Sequence, residues 1–434
     1  MTDYYNYLFD KYKNSLKNHK IKLSKSDTDP NKYLMLYESM NVYPIYPKPI
    51  IMPLKTKSQT FDCKIQLNNN LKIDTSEMNN FTKELNQKII EFNNLEKQFQ
   101  KYKGAVKVRR FFDYEIRDTI KNKLNNQNIS NAWIKMYEIL NTYDLLNTNS
   151  DTVDTFHICE HPGGFIHATK YYIKHILNKK HDFVFQSLKP ESDPQIFKPD
   201  KELISKYSDK LDYGPQKGDI TNKENISYYS NKYKTRKFSL ITSDCGLDFS
   251  ENFVGQESRL YKIFYSAFVA NIGLSTNGTN YVFKLFSFND PKTIEFLQLV
   301  CLFYEQVDLV RTLTTKSGSG ENYCVCVNYN FKGNKEEIVK QLIDYISDPS
   351  NTFILNKIDS EFMDKIIYYH KLITSRRITT MDQLLFRFYN MEYVQNNQII
   401  VEYIKNYTNY YVNYFLSFIK LNKSNKETNP LIIK

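Results

Sequence analysis

Apolar positions along the chain change their spacing twice, and the changes mark three zones. Between about residues 106 and 332, short runs of β-branched and aromatic residues alternate with stretches of helical period. The runs are TFHICE (155–160), FVFQSL (183–188), FSLITSD (238–244), TNYVFKLF (279–286), QVDLVR (306–311) and NYCVCVNY (322–329). Helix-length segments such as 256–272 and 291–304 separate several of them. That order predicts an α/β fold with a doubly wound, mainly parallel, Rossmann-like sheet. The last two runs have only a short connection, so the final strand is expected to turn back antiparallel.

The flanks read differently. Up to about residue 105 the chain is irregular, with an extended proline-rich stretch YPIYPKPIIMP at 43–53. A helix follows, opened by a capping-box pair, Asp74 and Glu77, and stopped at Gly104. Met78, Phe81, Leu85, Phe92, Leu95, Phe99 and Tyr102 give it a heptad-like stripe. Lys88 interrupts the stripe, which favours packing against the rest of the chain over a coiled-coil dimer. From about 333 onward NKEEIVKQLIDYIS, SEFMDKIIYYHKLI, MDQLLFRFYN and the segment from Gln398 to Leu421 have helical period, and the tail is expected to fray. The expected division is an N-terminal extension (1–105), an α/β domain (106–332) and a helical C-terminal region (333–434).

Composition narrows the partners. The formal charge of +11 suits a polyanion, of which nucleic acid is the commonest, although a basic balance also serves plain solubility. No apolar run is long enough to span a bilayer, and the first residues lack a signal-peptide core. No CxxC pair occurs, and Cys324 and Cys326 share one face of a strand, so packing explains them better than disulfides. These features together predict a cytoplasmic setting. Tyrosine is abundant throughout, as translation of an AT-rich genome would give, so no single aromatic marks a base-stacking surface.

Candidate chemistry begins where the first strong strand ends, at Glu160, His161, Pro162, Gly163, Gly164 and Phe165. Two glycines after a strand let the backbone turn tightly and approach a ligand. The turn is not GxGxxG, and no acidic residue follows the second strand, so a dinucleotide is not indicated. Gly218-Asp219-Ile220-Thr221 is a second candidate, since an aspartate there can accept an adenine amino group; an ordinary turn aspartate is the plainer reading. His157, Cys159, His161 and His167 lack a second ligand cluster, so no metal site is expected.

Four further segments, read in order, carry a resemblance. They are NAWIKMYEIL with Lys135, ITSDCG with Asp244, YVFKLF with Lys284 and GENYCVC with Glu321. Together they resemble the Lys–Asp–Lys–Glu tetrad of the FtsJ-like ribose 2′-O-methyltransferases, and CEHPGGF resembles that family's first cofactor motif. YGPQKGDITNKENI and VRTLTTKSGSGENY are similar to segments of the mRNA cap-type branch, as found in large cytoplasmic DNA viruses. The resemblance covers roughly residues 125–330. It departs from the family in the last loop, where Arg311 and Lys316 exchange the usual order of lysine and arginine, and Gly320 replaces a serine.

The resemblance implies S-adenosyl-L-methionine as cofactor, held by residues 160–165, Asp219, Ile220 and Asp244. It implies Lys135, Asp244, Lys284 and Glu321 as catalytic residues, Arg311 and Lys316 as RNA-binding, and capped mRNA as substrate. On this reading Lys284 activates the ribose hydroxyl, its neutral form promoted by burial and by Lys135. Internal ribosomal or transfer RNA riboses, or a catalytically inactive RNA-binding subunit, are the alternatives. A viral factory or virion fits the same resemblance, and the flanks could clamp RNA, bind a protein partner or dimerise.

Overall fold

The computed structural model describes residues 49–99, 112–126, 128–146, 148–189, 200–246, 256–316, 318–346, 352–389 and 398–421. Gly104, Tyr102, residues 43–48, the division near 105 and the tail lie outside them. In chain order the elements are β1 (Ile50–Lys55), β2 (Ile65–Asn68), α1 (Ser76–Phe99), α2 (Phe112–Leu124), α3 (Asn131–Thr142), β3 (Thr152–Ile158) and α4 (Gly164–Tyr172). Then come β4 (Lys180–Phe185), α5 (Lys201–Tyr207), α6 (Lys223–Lys232), β5 (Leu240–Ser243), α7 (Gln256–Leu274), β6 (Asn280–Leu285) and α8 (Pro291–Cys301). The chain continues through β7 (Tyr304–Arg311), β8 (Asn322–Tyr329), α9 (Lys335–Ile346), β9 (Phe353–Leu355), α10 (Ser360–Tyr389) and α11 (Gln398–Phe418).

Seven strands form one mixed sheet in the order β1-β7-β8-β6-β5-β3-β4, and β2 pairs with β9 apart from it. β4, β3, β5 and β6 are mutually parallel, while β8 runs antiparallel to both β6 and β7. All six runs marked by their apolar pattern are strands of this sheet, and the last turns back as expected.

Alternating side chains explain why both faces are covered. Ile241, Tyr281, Phe283, Cys324 and Cys326 enter one core with α7, α8 and α10. Leu240, Val282, Tyr323 and Val325 enter a second core with Trp133 and Tyr137 of α3, Phe165 of α4 and Phe415 of α11. A strand buried on both faces reads as a continuous apolar run, which is the pattern seen in the sequence.

The flanks join this core more closely than their irregular pattern suggests. β1, read from the sequence as extended and proline-rich, is the edge strand beside β7, with Met52 opposite Leu309 and the register shifting after Pro53. An edge tolerates a proline because one side of the strand has no ladder to complete. α1 begins with Asp74 accepting the Ser76 N–H at 2.9 Å, but Glu77 pairs with Lys371 of α10, so the expected capping box is only half formed. Lys88, the break in the stripe, reaches Asp382 of α10 at 2.6 Å. The two C-terminal helices expected over 360–373 and 381–390 are one, α10. No described helix is long and apolar enough to cross a membrane.

Leu54 is fully buried although it lies on an edge strand. Leu54→Ala should therefore destabilise the sheet by about 2–5 kcal/mol. Urea denaturation checks this as a lowered midpoint with an unchanged m-value.

Candidate active site

The sheet brings the four tetrad positions together at one end. Lys284 is the fifth residue of β6 and pairs across the ladder with Tyr323 of β8. Strand alternation puts it on the same face as Val282, toward α3. Asp244 follows β5, the parallel neighbour of β6, and its Oδ1 accepts from the Lys284 ammonium at 2.6 Å. Glu321 immediately precedes β8 and takes the Lys135 ammonium on both oxygens, at 2.8 and 2.7 Å. The Tyr323 hydroxyl donates to the same carboxylate.

Lys135 sits within an unbroken buried run, Trp133 to Leu140, of α3. The Ser130 hydroxyl caps that helix by accepting the Trp133 N–H at 3.1 Å. Three residues on from Lys135, Glu138 is wholly buried and turns to the loop after β7. It accepts from the Leu313 and Thr314 N–H groups and from the Thr314 hydroxyl. The sequence reading passed over Glu138; its place three positions from Lys135, on nearly the same helical face, was the available signal.

The electrostatics differ from the sequence expectation at Lys284. Burial alone would lower its pKa, but the Asp244 and Glu321 carboxylates outweigh burial and raise it above the ordinary lysine value. The free site thus holds Lys284 as an ammonium rather than partly neutral. Glu321 is likewise pushed up by burial, but Lys135 and Lys284 outweigh this and hold it at about 2. Burial raises Asp244 against the pull of Lys284.

The glycine turn lies beside this group. Glu160 is buried, and its Oε1 accepts the Phe165 and Ile166 N–H groups at 2.7 and 3.1 Å, which caps α4 from outside. Among the described residues its Oε2 has no partner, and neither ring nitrogen of the buried His161 has one. Burial, then repulsion from Asp244, raises the Glu160 pKa well above the usual range, while burial lowers His161 to about 4. Pro162 is exposed in the turn and Phe165 is a core residue packed beside Tyr323. Gly163 has φ +110°, and a side-chain carbon there would lie 2.6 Å from Leu203 Cδ2. At Gly164 such a carbon would lie 2.8 Å from Ala132 Cβ, so α4 can approach α3 only with glycine at that point.

Gln186 and Ser187, just beyond β4, tie this turn to the second candidate segment. The Glu160 N–H donates to the Gln186 carbonyl, the His161 N–H donates to Ser187 Oγ at 3.2 Å, and the Gln186 amide donates to the Gly218 carbonyl. Asp219 uses Oδ1 to accept from the Thr221 N–H and hydroxyl, at 2.9 and 2.8 Å. Ile220 is buried in the core, so only its backbone can face a ligand. Among the residues first considered as metal ligands, His157 lies between the Thr155 and Thr242 hydroxyls and His167 lies 3.4 Å from Asp200.

The two cations expected at the RNA side separate. Arg311 is buried, and its guanidinium donates to the carbonyls of Lys316, Ser319 and Glu321 at 2.9, 2.9 and 3.1 Å. It therefore shapes the loop from within and does not present itself to a strand of RNA. Lys316 remains half-buried on the loop.

Among the described residues Asp244 and Glu321 pair with Lys284 and Lys135, while Glu160 has no ammonium partner and burial and Asp244 raise its pKa. The orphaned oxygen of Glu160 fits a ligand that brings a donor or a positive charge to it. A sulfonium cofactor with an amino group satisfies this requirement.

Residues 129–329 match the model of the FtsJ-like methyltransferase family. S-adenosyl-L-methionine binding defines that family, and S-adenosyl-L-methionine is the cofactor of this segment. An uncharacterized protein of Acanthamoeba polyphaga mimivirus is 28% identical over 69% of this chain and 39% of its own length. The cap-specific mRNA (nucleoside-2'-O-)-methyltransferase 2 of Drosophila melanogaster is 21% identical over 56% of this chain and 36% of its own. A protein named as a probable methyltransferase of African swine fever virus is 24% identical over 54% of this chain and 57% of its own. The chain thus spans between 36% and 57% of the length of these relatives.

Two measurements test the site in the absence of turnover. Asp244→Asn removes the nearest carboxylate from Lys284 and leaves burial less opposed, so the Lys284 titration should move to lower pH than in wild type. NMR of the labelled lysine Cε reads this directly, and an unmoved titration would contradict the pairing. Gly163→Ala forces a side chain into a left-handed conformation against Leu203 and should weaken cofactor binding roughly tenfold, as calorimetry would show.

Proposed function

We propose that the chain is an S-adenosylmethionine-dependent RNA ribose 2′-O-methyltransferase that acts on the mRNA cap. The observation that carries this reading is the convergence of the Lys284–Asp244 and Lys135–Glu321 pairs beside the glycine turn. An acceptor hydroxyl needs a charged group to position it and a methyl donor in line, and such positioning contributes several kcal/mol. The naming of the Drosophila relative as cap-specific favours the cap as target, and the net charge of +11 favours RNA.

The cofactor supplies an electrophilic methyl on a sulfonium centre. Glu160, Asp244 and the backbone of residues 161–165 would hold it, with Asp219 and the Ile220 backbone beside its adenosine. Lys284 contacts the ribose 2′-oxygen and steers its lone pair; the hydroxyl proton passes to solvent, because Lys284 can take it only in the neutral form that Asp244 and Glu321 disfavour. Asp244 orients Lys284, and Glu321 fixes Lys135 with Tyr323 bracing the carboxylate. RNA is preferred over DNA because only ribose has the acceptor hydroxyl.

The test is methyl transfer from labelled cofactor to short RNAs bearing a 7-methylguanosine cap, an unmethylated cap or no cap. Label should appear on a cap-proximal ribose of the capped RNA and fall by at least about 10²-fold in Lys284→Ala. Equal labelling of uncapped RNA at internal riboses would replace the cap reading. Cofactor binding with no transfer to any of these RNAs would refute this substrate assignment.

A further inference from the structure

The loop between β7 and β8 is held from two sides by arginines. Arg311 fills its inside, as described above. From the outside comes Arg377, in the middle of α10, whose Nε donates to the Gly318 carbonyl at 3.2 Å. Its two terminal nitrogens lie 3.4 Å from the position a side-chain carbon would take at Gly320. At Gly318 such a carbon would lie 2.5 Å from Met381 Cε, one turn further along α10. A side chain at Gly318 would require Met381 to move aside, and one at Gly320 would rest in contact with the guanidinium. The serine usual beside the glutamate in the resembled family would stand against this guanidinium.

Arg377 is half-buried, and no carboxylate among the described residues acts on it. The charged group that acts on it is Arg311, of the same sign. Burial first and then Arg311 lower its pKa to about 9, so at neutral pH it keeps its charge. A desolvated cation beside a like charge is costly unless an anion arrives to balance it. A guanidinium presents a planar fork of donors that matches a phosphate. Its place is set by the tetrad, because Gly320 directly precedes Glu321, whose carboxylate holds Lys135.

Resting on the RNA reading of the site, we propose that Arg377 is a phosphate-binding residue for the acceptor RNA strand, supplied by the helical region that follows the sheet. It takes the part that sequence comparison of the loop alone would give to Arg311. The backbone phosphate nearest the reacting ribose is the group it receives, and α10 thereby becomes one wall of the RNA path.

The experiment measures fluorescence anisotropy of a labelled capped RNA oligonucleotide with full-length wild type, Arg377→Gln and Arg377→Lys, across about 50 to about 200 mM salt. A parallel series places one neutral methylphosphonate linkage at each position in turn. Arg377→Gln should bind RNA roughly tenfold more weakly, and its log affinity against log salt should flatten by about 0.7. Arg377→Lys should keep the salt slope and lose part of the affinity. One methylphosphonate should weaken wild type while leaving Arg377→Gln unaffected, and cofactor affinity should match wild type.

Unchanged affinity and slope in Arg377→Gln, or equal linkage penalties in both proteins at every position, would overturn the proposal. If Arg377→Gln does not fold, Arg377→Lys with wild-type affinity and an identical linkage profile overturns it instead. Methyl transfer that is indifferent to Arg377 sinks this inference and leaves the methyltransferase reading standing. RNA binding that depends on Arg377 without any methyl transfer does the reverse.

Discussion

The register of three strands sets everything at this site. β5, β6 and β8 end or begin together so that Asp244, Lys284 and Glu321 emerge at one end of the sheet. Because strand side chains alternate with period two, a slip of one residue in β6 would turn Lys284 to the opposite face, among the side chains of α7 and α8. Asp244 would then be left buried without its cation, at a cost of several kcal/mol. The apolar alternation that fixes the register is thus reinforced by the charges it positions. α3 completes the set, because Lys135 must reach Glu321 from a helix packed on that same face.

The same logic of buried pairing governs the flanks. Lys88 and Asp382 would each be expensive to bury alone, and together they mark where α1 must cross α10. β1 extends the sheet beyond β7, and α10 lies against the loop that leads into β8. Segments outside residues 129–329 therefore bear on the geometry of the site itself. The C-terminal helical region in particular is continuous with the loop that carries Glu321.

The strands of the sheet were legible because each is buried on both faces and so reads as an uninterrupted apolar run. The tetrad positions were read from the order of four segments that resemble the FtsJ-like family, and Lys284 stood out among them because lysine is rare in the middle of an apolar run. β1 was not, because a proline-rich edge strand lacks both the alternation and the length that signal a strand. The neutral form expected of Lys284 was also a misreading: sequence gave its burial, but not that two carboxylates would stand close enough to outweigh burial. Arg377 was invisible for a similar reason. One arginine on a long helix has no pattern until the fold brings the helix against a particular loop.

Charge is unevenly divided across the tetrad, and the division gives the site a direction. On the glycine-turn side burial and the repulsion of Asp244 raise the Glu160 pKa, so its ionisation waits on a nearby cation, and on the loop side Arg311 and Arg377 bring two like positive charges together. Lys284 stands between the two, held as an ammonium by carboxylates from both sides. A cationic ligand is favoured at one end and an anionic strand at the other, and each would be repelled from the wrong end. For the proposed reaction that arrangement does part of the orienting work before any specific contact forms.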